Sequence, residues 1–165
     1  MTEKENIKLI KLIYEGEITQ KNLPGWLFNY TFSELIKQVE KYYGKIKELT
    51  GLKKVKAGNF RTNINVFSGA KTYQNIRDLR NGLKIDGKKI QFKEFEKFAR
   101  QINENYNKNW LNAEVQACKQ MSISANKWDE IEEKQELFPL LKYATVGDGQ
   151  VRPDHAAWDG LIFPV

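Results

Sequence analysis

The feature that most constrains this chain is a run without glycine or proline from Lys88 to Leu137. Its apolar residues recur at spacings of three and four, which predicts a helix. They are Phe92, Phe95, Ala99, Ile102, Tyr106, Trp110, Ala113, Ala117, Met121, Ala125, Trp128 and Ile131. One helix of about 45 residues would be roughly 65 Å long, which is unusual in a compact domain. Asparagine competes for backbone hydrogen bonds, so the cluster at 103–112 predicts either two helices meeting near Asn105–Asn109 or one long bent helix.

The N-terminal part also has helical patterning. Residues 4–15 predict an amphipathic helix that ends at Gly16. Thr31 and Glu34 have the spacing of a capping box, which predicts that the next helix begins there. The apolar residues 26–28 just before it belong either to the same helix or to a hydrophobic staple.

The middle of the chain is basic. Residues 45–58 predict a basic linker or a frayed helix, and the apolar positions from Phe60 to Leu83 favour a helix. Gly69 inside that stretch predicts a close-packing point or a kink. Residues 85–89 predict a turn.

The last part of the chain has a different pattern, beginning after Pro139. Residues 142–146 predict a strand, and residues 147–150 supply a turn. Pro153 precedes a short predicted helix at 154–158, and residues 161–163 predict a second strand. The expected fold is therefore mainly α: a helical domain with long helices and a small C-terminal α+β motif of short strand, turn, short helix and short strand.

These patterns divide the chain into three segments. They are an N-terminal helical segment (1–44), a central basic helical region (45–138) and the C-terminal α+β motif (139–165), with the motif expected to pack on the helices as one domain. A hydrophobic fraction of 41% and an aromatic fraction of 12% indicate a folded protein. No apolar run approaches the roughly 20 residues that cross a bilayer. The single cysteine, Cys118, excludes an internal disulfide and suits a reducing compartment.

The formal charge of +6 is unevenly distributed. Residues 45–61 hold six basic residues against Glu48, and residues 71–93 hold seven against Asp78 and Asp86, so each stretch has a net charge of +5. Residues 129–136 have a net charge of −4. A basic middle can contact phosphate backbones, although lysine-rich helix faces are also common as plain solvated surface.

The only histidine lies among acidic residues in the C-terminal motif. His155 and Asp159 are four apart, and Asp148, Arg152 and Asp154 are close in sequence. One interpretation is a hydrolase or nuclease in which His155 acts as general base or metal ligand with the nearby carboxylates. The structural interpretation is favoured, because a hydrolytic metal site normally needs three protein ligands. In it, His155 and Asp159 lock the turn between the strands and Arg152 contacts a carboxylate or strand-end carbonyls.

Other chemical signals are weak. Cys118 lies on the apolar side of the long predicted helix beside Ala117 and Met121, which indicates a buried, inert thiol. The helical aromatic stripe is expected to be core or subunit interface. There is no phosphate-binding glycine loop or zinc motif, so we expect no catalytic residue, no cofactor-binding residue and no metal ligand.

The C-terminal stretch carries a more specific pattern, Tyr143-x-Thr145-x-Gly147-Asp148-x-x-Val151-Arg152-Pro153-x-His155-Ala156-Ala157-x-Asp159-Gly160. It resembles the core motif of the phage Mu F-like head morphogenesis family, the minor head proteins of tailed phages and prophages. The similarity is specific over 109–164 and looser over 45–108. The phrase at 66–73, Val-Phe-Ser-Gly-Ala-Lys-Thr-Tyr, is similar to versions of the family from Bacteroidetes prophages.

The resemblance implies a low-copy structural component and not an enzyme. Such a protein would associate with portal and capsid proteins, in the virion or in the cytoplasm of the bacterial host. The resemblance is compatible with self-association and with non-specific DNA contact through the basic region. It implies no contact with a membrane. A plain DNA-binding module is the other alternative, besides the hydrolase or nuclease.

The resemblance also has a departure. In the family the motif usually continues beyond the Asp-Gly turn to a cysteine-containing ending, whereas this sequence stops at Val165. We therefore expect either a piece cut at a domain boundary or a truncated gene. A small two-stranded element is only marginally stable alone, so it is expected to pack on the helices or on another copy of the chain.

Overall fold

The fold is mainly α with a small C-terminal α+β motif, as the sequence predicts. A computed structural model describes residues 1–165. The elements are α1 (Glu3–Glu15), α2 (Gly25–Tyr42), α3 (Gly51–Asn81), β1 (Lys84–Ile85), β2 (Lys88–Lys89), α4 (Phe92–Glu104), a π-helical segment (Asn105–Trp110), α5 (Leu111–Glu133), β3 (Leu140–Lys142), α6 (Pro153–Trp158) and β4 (Ile162–Pro164). The chain forms two compact units, Met1–Ser122 and Ile123–Val165. No helix combines the length and the apolar composition that crossing a membrane requires.

The N-terminal unit is built around one apolar core to which α1, α2, α3 and α4 all contribute. The buried members of this cluster are Leu9, Ile10, Ile13, Ile18, Leu27, Ile76, Leu79, Leu83, Phe95 and Ala99. Burying a Leu, Ile or Phe side chain stabilises a fold by about 1.5–3 kcal/mol relative to exposure. This cluster is therefore the main source of stability in the unit.

Helix α1 has clear signals at both ends. The Thr2 hydroxyl accepts a hydrogen bond from the Glu5 amide at 3.3 Å, and Glu5 accepts one from the Thr2 amide at 2.7 Å. This reciprocal pair is a capping box and satisfies two backbone donors. Gly16 ends the helix with φ = 88°, a left-handed conformation that glycine adopts without steric cost. The predicted helix at 4–15 and its end at Gly16 are confirmed.

The capping box predicted at Thr31 is wrong. Helix α2 begins at Gly25, so residues 26–28 belong to the same helix and Thr31 lies inside it. The buried residues Leu27, Thr31, Leu35 and Val39 are spaced by four and form its inner stripe. A capping pattern was present locally, but this continuous buried stripe decides where the helix runs.

Helix α3 is longer than predicted. It starts at Gly51, so of the two alternatives for residues 45–58 the helix is confirmed from Gly51 onward, and the helix predicted from Phe60 is confirmed up to Asn81. Buried Ala57 shows why the early turns form, since they already contribute to the inner surface. A Cβ on Gly69 would meet nothing within 4 Å, so the close-packing prediction for this glycine is wrong.

The predicted break in the long helical run is a π-helical segment. The π-helix occupies Asn105–Trp110, directly between α4 and α5. The prediction of an interruption near Asn105–Asn109 is therefore confirmed. The backbone stays helical there, but it changes from an α-helix to a π-helix. Such insertions change which side chains face the neighbouring helix.

Polar side chains form a buried layer beside the apolar core. The Lys71 ammonium donates to Thr31 Oγ1 at 3.3 Å and to Asn107 Oδ1 at 2.9 Å. A second set joins three helices: Asn75 Nδ2 donates to Asn103 Oδ1 at 3.1 Å, and Asn103 Nδ2 donates to Asn6 Oδ1 at 2.6 Å. Lys71 is only 6% exposed, so it adds no charge to the surface of the basic region.

A short hairpin follows α3, and it contains the turn predicted at 85–89. Strands β1 and β2 pair antiparallel, with Lys84 opposite Lys89. Asp86 and Gly87 both have positive φ, 51° and 79°, as a two-residue hairpin turn needs. Lys89 donates to the Tyr14 carbonyl at 2.7 Å and lies 3.9 Å above the Tyr14 ring, which attaches the hairpin to α1.

Cys118 is buried, as the sequence predicts. Its thiol donates to the Leu35 carbonyl at 3.5 Å, and burial raises its pKa. The aromatic stripe is divided: Phe95 and Tyr106 are buried, whereas Trp110 and Trp128 are about half exposed.

Gly82, and not Gly69, is the glycine that packing requires. A Cβ at Gly82 would overlap the ring of Phe98. We expect Gly82→Ala to lower the free energy of unfolding by about 1–3 kcal/mol through overpacking. The matched control is Gly69→Ala, which has open space in a helix interior and should stabilise by about 0.5–1 kcal/mol. Urea denaturation measures both, and equal effects of the two substitutions would contradict the packing assignment.

The buried ammonium of Lys71 predicts a pH-dependent stability. Burial lowers the pKa of Lys71 from 10.5 to about 8. Between these values the unfolded chain binds more protons than the folded chain, so stability rises with pH. Relative to Lys71→Met, the wild type should gain at most about 3 kcal/mol between pH 8 and pH 10.5.

The measurement is urea denaturation of both proteins at several pH values across this window. Lys108→Met removes an exposed lysine of the π-helical segment and serves as the control. Parallel pH profiles for wild type and Lys71→Met would show that burial of Lys71 does not perturb its ionisation.

Candidate functional site

The candidate site lies in the C-terminal unit, where two strands bring both ends of the motif together. Leu140 pairs with Pro164, Leu141 with Phe163 and Lys142 with Ile162. The ladder continues for one more residue, because Tyr143 and Leu161 are joined by a 2.8 Å backbone hydrogen bond. The predicted second strand is confirmed within one residue, but the first is shifted towards the N-terminus, since residues 144–146 are not in a strand.

His155 contacts an aromatic cluster and no carboxylate. Its Nδ1 and the Tyr143 phenol oxygen are 2.7 Å apart and share a hydrogen bond. The Trp158 ring packs edge-on against Tyr143, with centroids 5.8 Å apart, and tilts against His155 at 5.4 Å. Helix α6 supplies both His155 and Trp158, because residues three apart share a helix face.

Asp159 holds the chain that leaves the first strand. Its Oδ1 accepts hydrogen bonds from the Thr145 amide at 2.7 Å and from the Thr145 hydroxyl at 3.1 Å. These two bonds stabilise the carboxylate and hold the pKa of Asp159 below its usual value. They also explain the failed strand prediction, since the backbone of Thr145 binds a side chain in place of a strand partner.

Asp148 and Arg152 have local or solvent-facing roles. Asp148 Oδ1 accepts from the Gln150 amide at 3.0 Å, a turn-forming bond within the Gly147–Gln150 loop. Arg152 is exposed and precedes Pro153 at the start of α6, where the predicted short helix is confirmed. The predicted contact of Arg152 with a carboxylate or carbonyl is not formed, since the residue is exposed and makes no hydrogen bond or ion pair.

An open cavity of about 600 Å³ lies beside this cluster. Asp148, Arg152 and His155 line it together with Tyr143, Thr145 and Gln150. The cavity therefore gathers hydrogen-bonding groups and one cation. However, the two residues predicted to cooperate, His155 and Asp159, bind Tyr143 and Thr145 respectively and not each other.

The structure pairs His155 and Asp159 with residues that the site hypothesis did not include. Tyr143, Thr145 and Trp158 are the direct partners of His155 and Asp159. The sequence carries a signal for each, since Tyr143 and Thr145 are alternate residues in an extended segment and Trp158 is three after His155. Locking of the turn by His155 and Asp159 is the interpretation that these contacts support.

The structure contains no group of three or more His, Cys, Asp or Glu side chains arranged to hold a metal ion. No protein family, no curated protein and no solved structure matches this chain.

The contacts of Tyr143 and Asp159 predict that they stabilise the C-terminal unit together. Tyr143→Phe keeps the ring packing but removes the hydrogen bond to His155. We therefore expect the free energy of local unfolding of the C-terminal unit to fall by about 1 kcal/mol. Asp159→Asn weakens the charge-assisted bonds to Thr145, so exchange of the Thr145 amide should quicken. Because the pKa of Asp159 is lowered on folding, its contribution is present near neutral pH and is lost in acid.

Hydrogen exchange of the backbone amides at 140–165 measures both effects. Asp154→Asn removes an exposed carboxylate of helix α6 and is the matched control. Unchanged exchange in Tyr143→Phe and Asp159→Asn would show that neither contact holds the motif.

Proposed function

We propose that this protein is a minor head protein of a tailed phage or prophage, which acts in head morphogenesis by binding the portal or the interior of the capsid. The observation that carries the proposal is the exposed apolar strand face of the C-terminal unit. The sequence motif resembling the phage Mu F-like family lies in this same unit. The proposed role is assembly by surface complementarity and not catalysis.

The apolar strand face consists of Leu140 and Ile162. The register of β3 and β4 places these two residues on the same side of the sheet as Lys142 and Pro164, whereas Leu141 and Phe163 lie on the other side. Leu140 is 60% exposed and Ile162 is 63% exposed. Exposed apolar side chains grouped on a sheet face are typical of protein interaction surfaces.

The small size of the unit also favours docking. Asp129 is the only buried residue from Ile123 to Val165. A two-stranded sheet with so little buried surface is marginally stable in water, so binding to a partner would supply the burial that the unit lacks. Each strand has one unpaired edge, which a partner strand can join through backbone hydrogen bonds.

Electrostatics supports an assembly role as well. The exposed carboxylates Glu130 and Glu136 of the C-terminal unit favour a basic partner surface. The basic region retains exposed lysines at Lys54, Lys84 and Lys88. We propose that these residues allow non-specific contact with DNA in the head, through phosphate charges alone.

The test is association with the portal and major capsid proteins of the phage that encodes the chain. We expect co-purification of the wild type after co-expression with each of them. The double variant Leu140→Lys plus Ile162→Lys places charges on the apolar strand face and should weaken association at least about tenfold. The control is Val55→Lys plus Val66→Lys, which alters two comparably exposed apolar residues of α3.

Two outcomes would contradict the proposal. Association with no head protein in any assembly state would remove the assembly role. DNA binding that falls steeply with salt, with no protein partner and with no effect of the strand-face variant, would favour a plain DNA-binding module instead.

A further inference from the structure

Lys71 is a buried cation whose protein contacts leave its charge uncompensated. Its only hydrogen-bond partners are Thr31 Oγ1 and Asn107 Oδ1, and both are neutral acceptors. No carboxylate lies within 4 Å of the ammonium group. An ammonium carries three protons, so two protein acceptors leave one proton without a partner. A desolvated cation with an unused donor favours the binding of an anion.

The side chain that orients Lys71 has an unused donor too. Asn107 presents Oδ1 to Lys71, and its Nδ2 is buried without a hydrogen-bond partner. The unused hydrogen-bonding groups of Lys71 and Asn107 are therefore both donors. What the site lacks is a hydrogen-bond acceptor with negative charge.

A cavity of about 260 Å³ adjoins Lys71. Three aromatic side chains form its apolar walls: Phe67, Tyr106 and Trp110. Tyr106 and Trp110 pack together with ring centroids 4.4 Å apart, and Tyr106 is fixed by a 2.6 Å hydrogen bond that its phenol donates to Asp78. The walls are therefore aromatic and apolar, and they suit a flat group.

We propose that this cavity binds a small monocarboxylic acid with a flat apolar body, whose carboxylate pairs with the Lys71 ammonium while its apolar body packs against Phe67, Tyr106 and Trp110. The assignment does not depend on the head-assembly role, because every residue of the cavity lies in the N-terminal unit. The π-helical segment supplies Tyr106 and Trp110 to the cavity wall, and Asn107 as a hydrogen-bond partner of Lys71.

Cavity size and charge narrow the ligand class. The cavity is slightly smaller than the usual range for drug-sized ligands, about 300–1,000 Å³, so it suits a single ring or a short chain. Glu114 also lines the cavity and disfavours a second negative charge on the ligand. A dicarboxylate of the same size should therefore bind more weakly than a monocarboxylate.

Burial of the amine supports the same conclusion. Desolvation lowers the pKa of Lys71 to about 8, so most of the lysine is still protonated at neutral pH. A bound carboxylate would favour the charged form and raise that pKa. Ligand binding would therefore also reduce the energetic cost of burying the ammonium.

The test is titration of the full chain at pH 7 with benzoate, benzamide and phthalate. Two-dimensional NMR and calorimetry monitor the binding. We expect benzoate to shift the amide signals of residues around Lys71 and Trp110. Neutral benzamide and the dianion phthalate should each bind at least about tenfold more weakly, since a charged hydrogen bond is lost or a charge is repelled.

Three variants locate the binding. Lys71→Met removes the charge, and Ala70→Trp fills the cavity from an exposed helical position without touching the contacts of Lys71. Each should weaken benzoate binding at least about tenfold. Ala113→Trp introduces the same bulk at an exposed α5 position outside the cavity and should bind benzoate like the wild type.

The proposal is overturned if benzoate causes no saturable shifts, or if benzamide binds as tightly as benzoate. It is equally overturned if Ala70→Trp retains wild-type binding, which keeps the test decisive even when Lys71→Met fails to fold. Weak, non-saturating shifts spread over the surface indicate binding as an adventitious additive only and count against the site.

Discussion

The burial of the Lys71 ammonium between two neutral oxygens constrains how the helices of the N-terminal unit pack against one another. It joins α3 to Thr31 of α2 and to Asn107 of the π-helical segment. Apolar burial is non-directional, whereas a buried cation loses its hydrogen-bond partners if either helix shifts by one turn. The asparagine pair Asn75–Asn103 acts in the same way between α3 and α4. The apolar core supplies stability, and this polar layer fixes one packing arrangement.

Much of the fold could be predicted from the sequence, because the helices have strong period-3.6 patterns. The end of α1 at Gly16, the turn at 85–89 and the interruption near Asn105 all have local causes that are visible in the sequence. Errors arose where local and tertiary preferences disagree. Thr31 has capping chemistry but lies on a buried stripe, and the start of α3 depends on packing that its weak pattern does not reveal.

The candidate site was harder to predict, because its contacts connect residues 12 or 14 apart through a non-helical segment. The sequence drew attention to His155 and Asp159 as a pair four apart on one helix face. In the structure α6 ends at Trp158, so Asp159 leaves that face and binds Thr145. Burial of Lys71 was not predicted from its residue type, although position 71 lies seven after Ile64 and eight before Leu79, on the buried face of α3.

The burial of Cys118 has a practical consequence for studies in solution. It is the only thiol in the chain, it is 9% exposed, and the thiolate that reacts with electrophiles is disfavoured there by the raised pKa. A cysteine introduced at an exposed position will therefore react with maleimide labels far faster than Cys118. Fluorescent or spin probes can thus be attached to the C-terminal unit at a single chosen residue, with the native cysteine left in place.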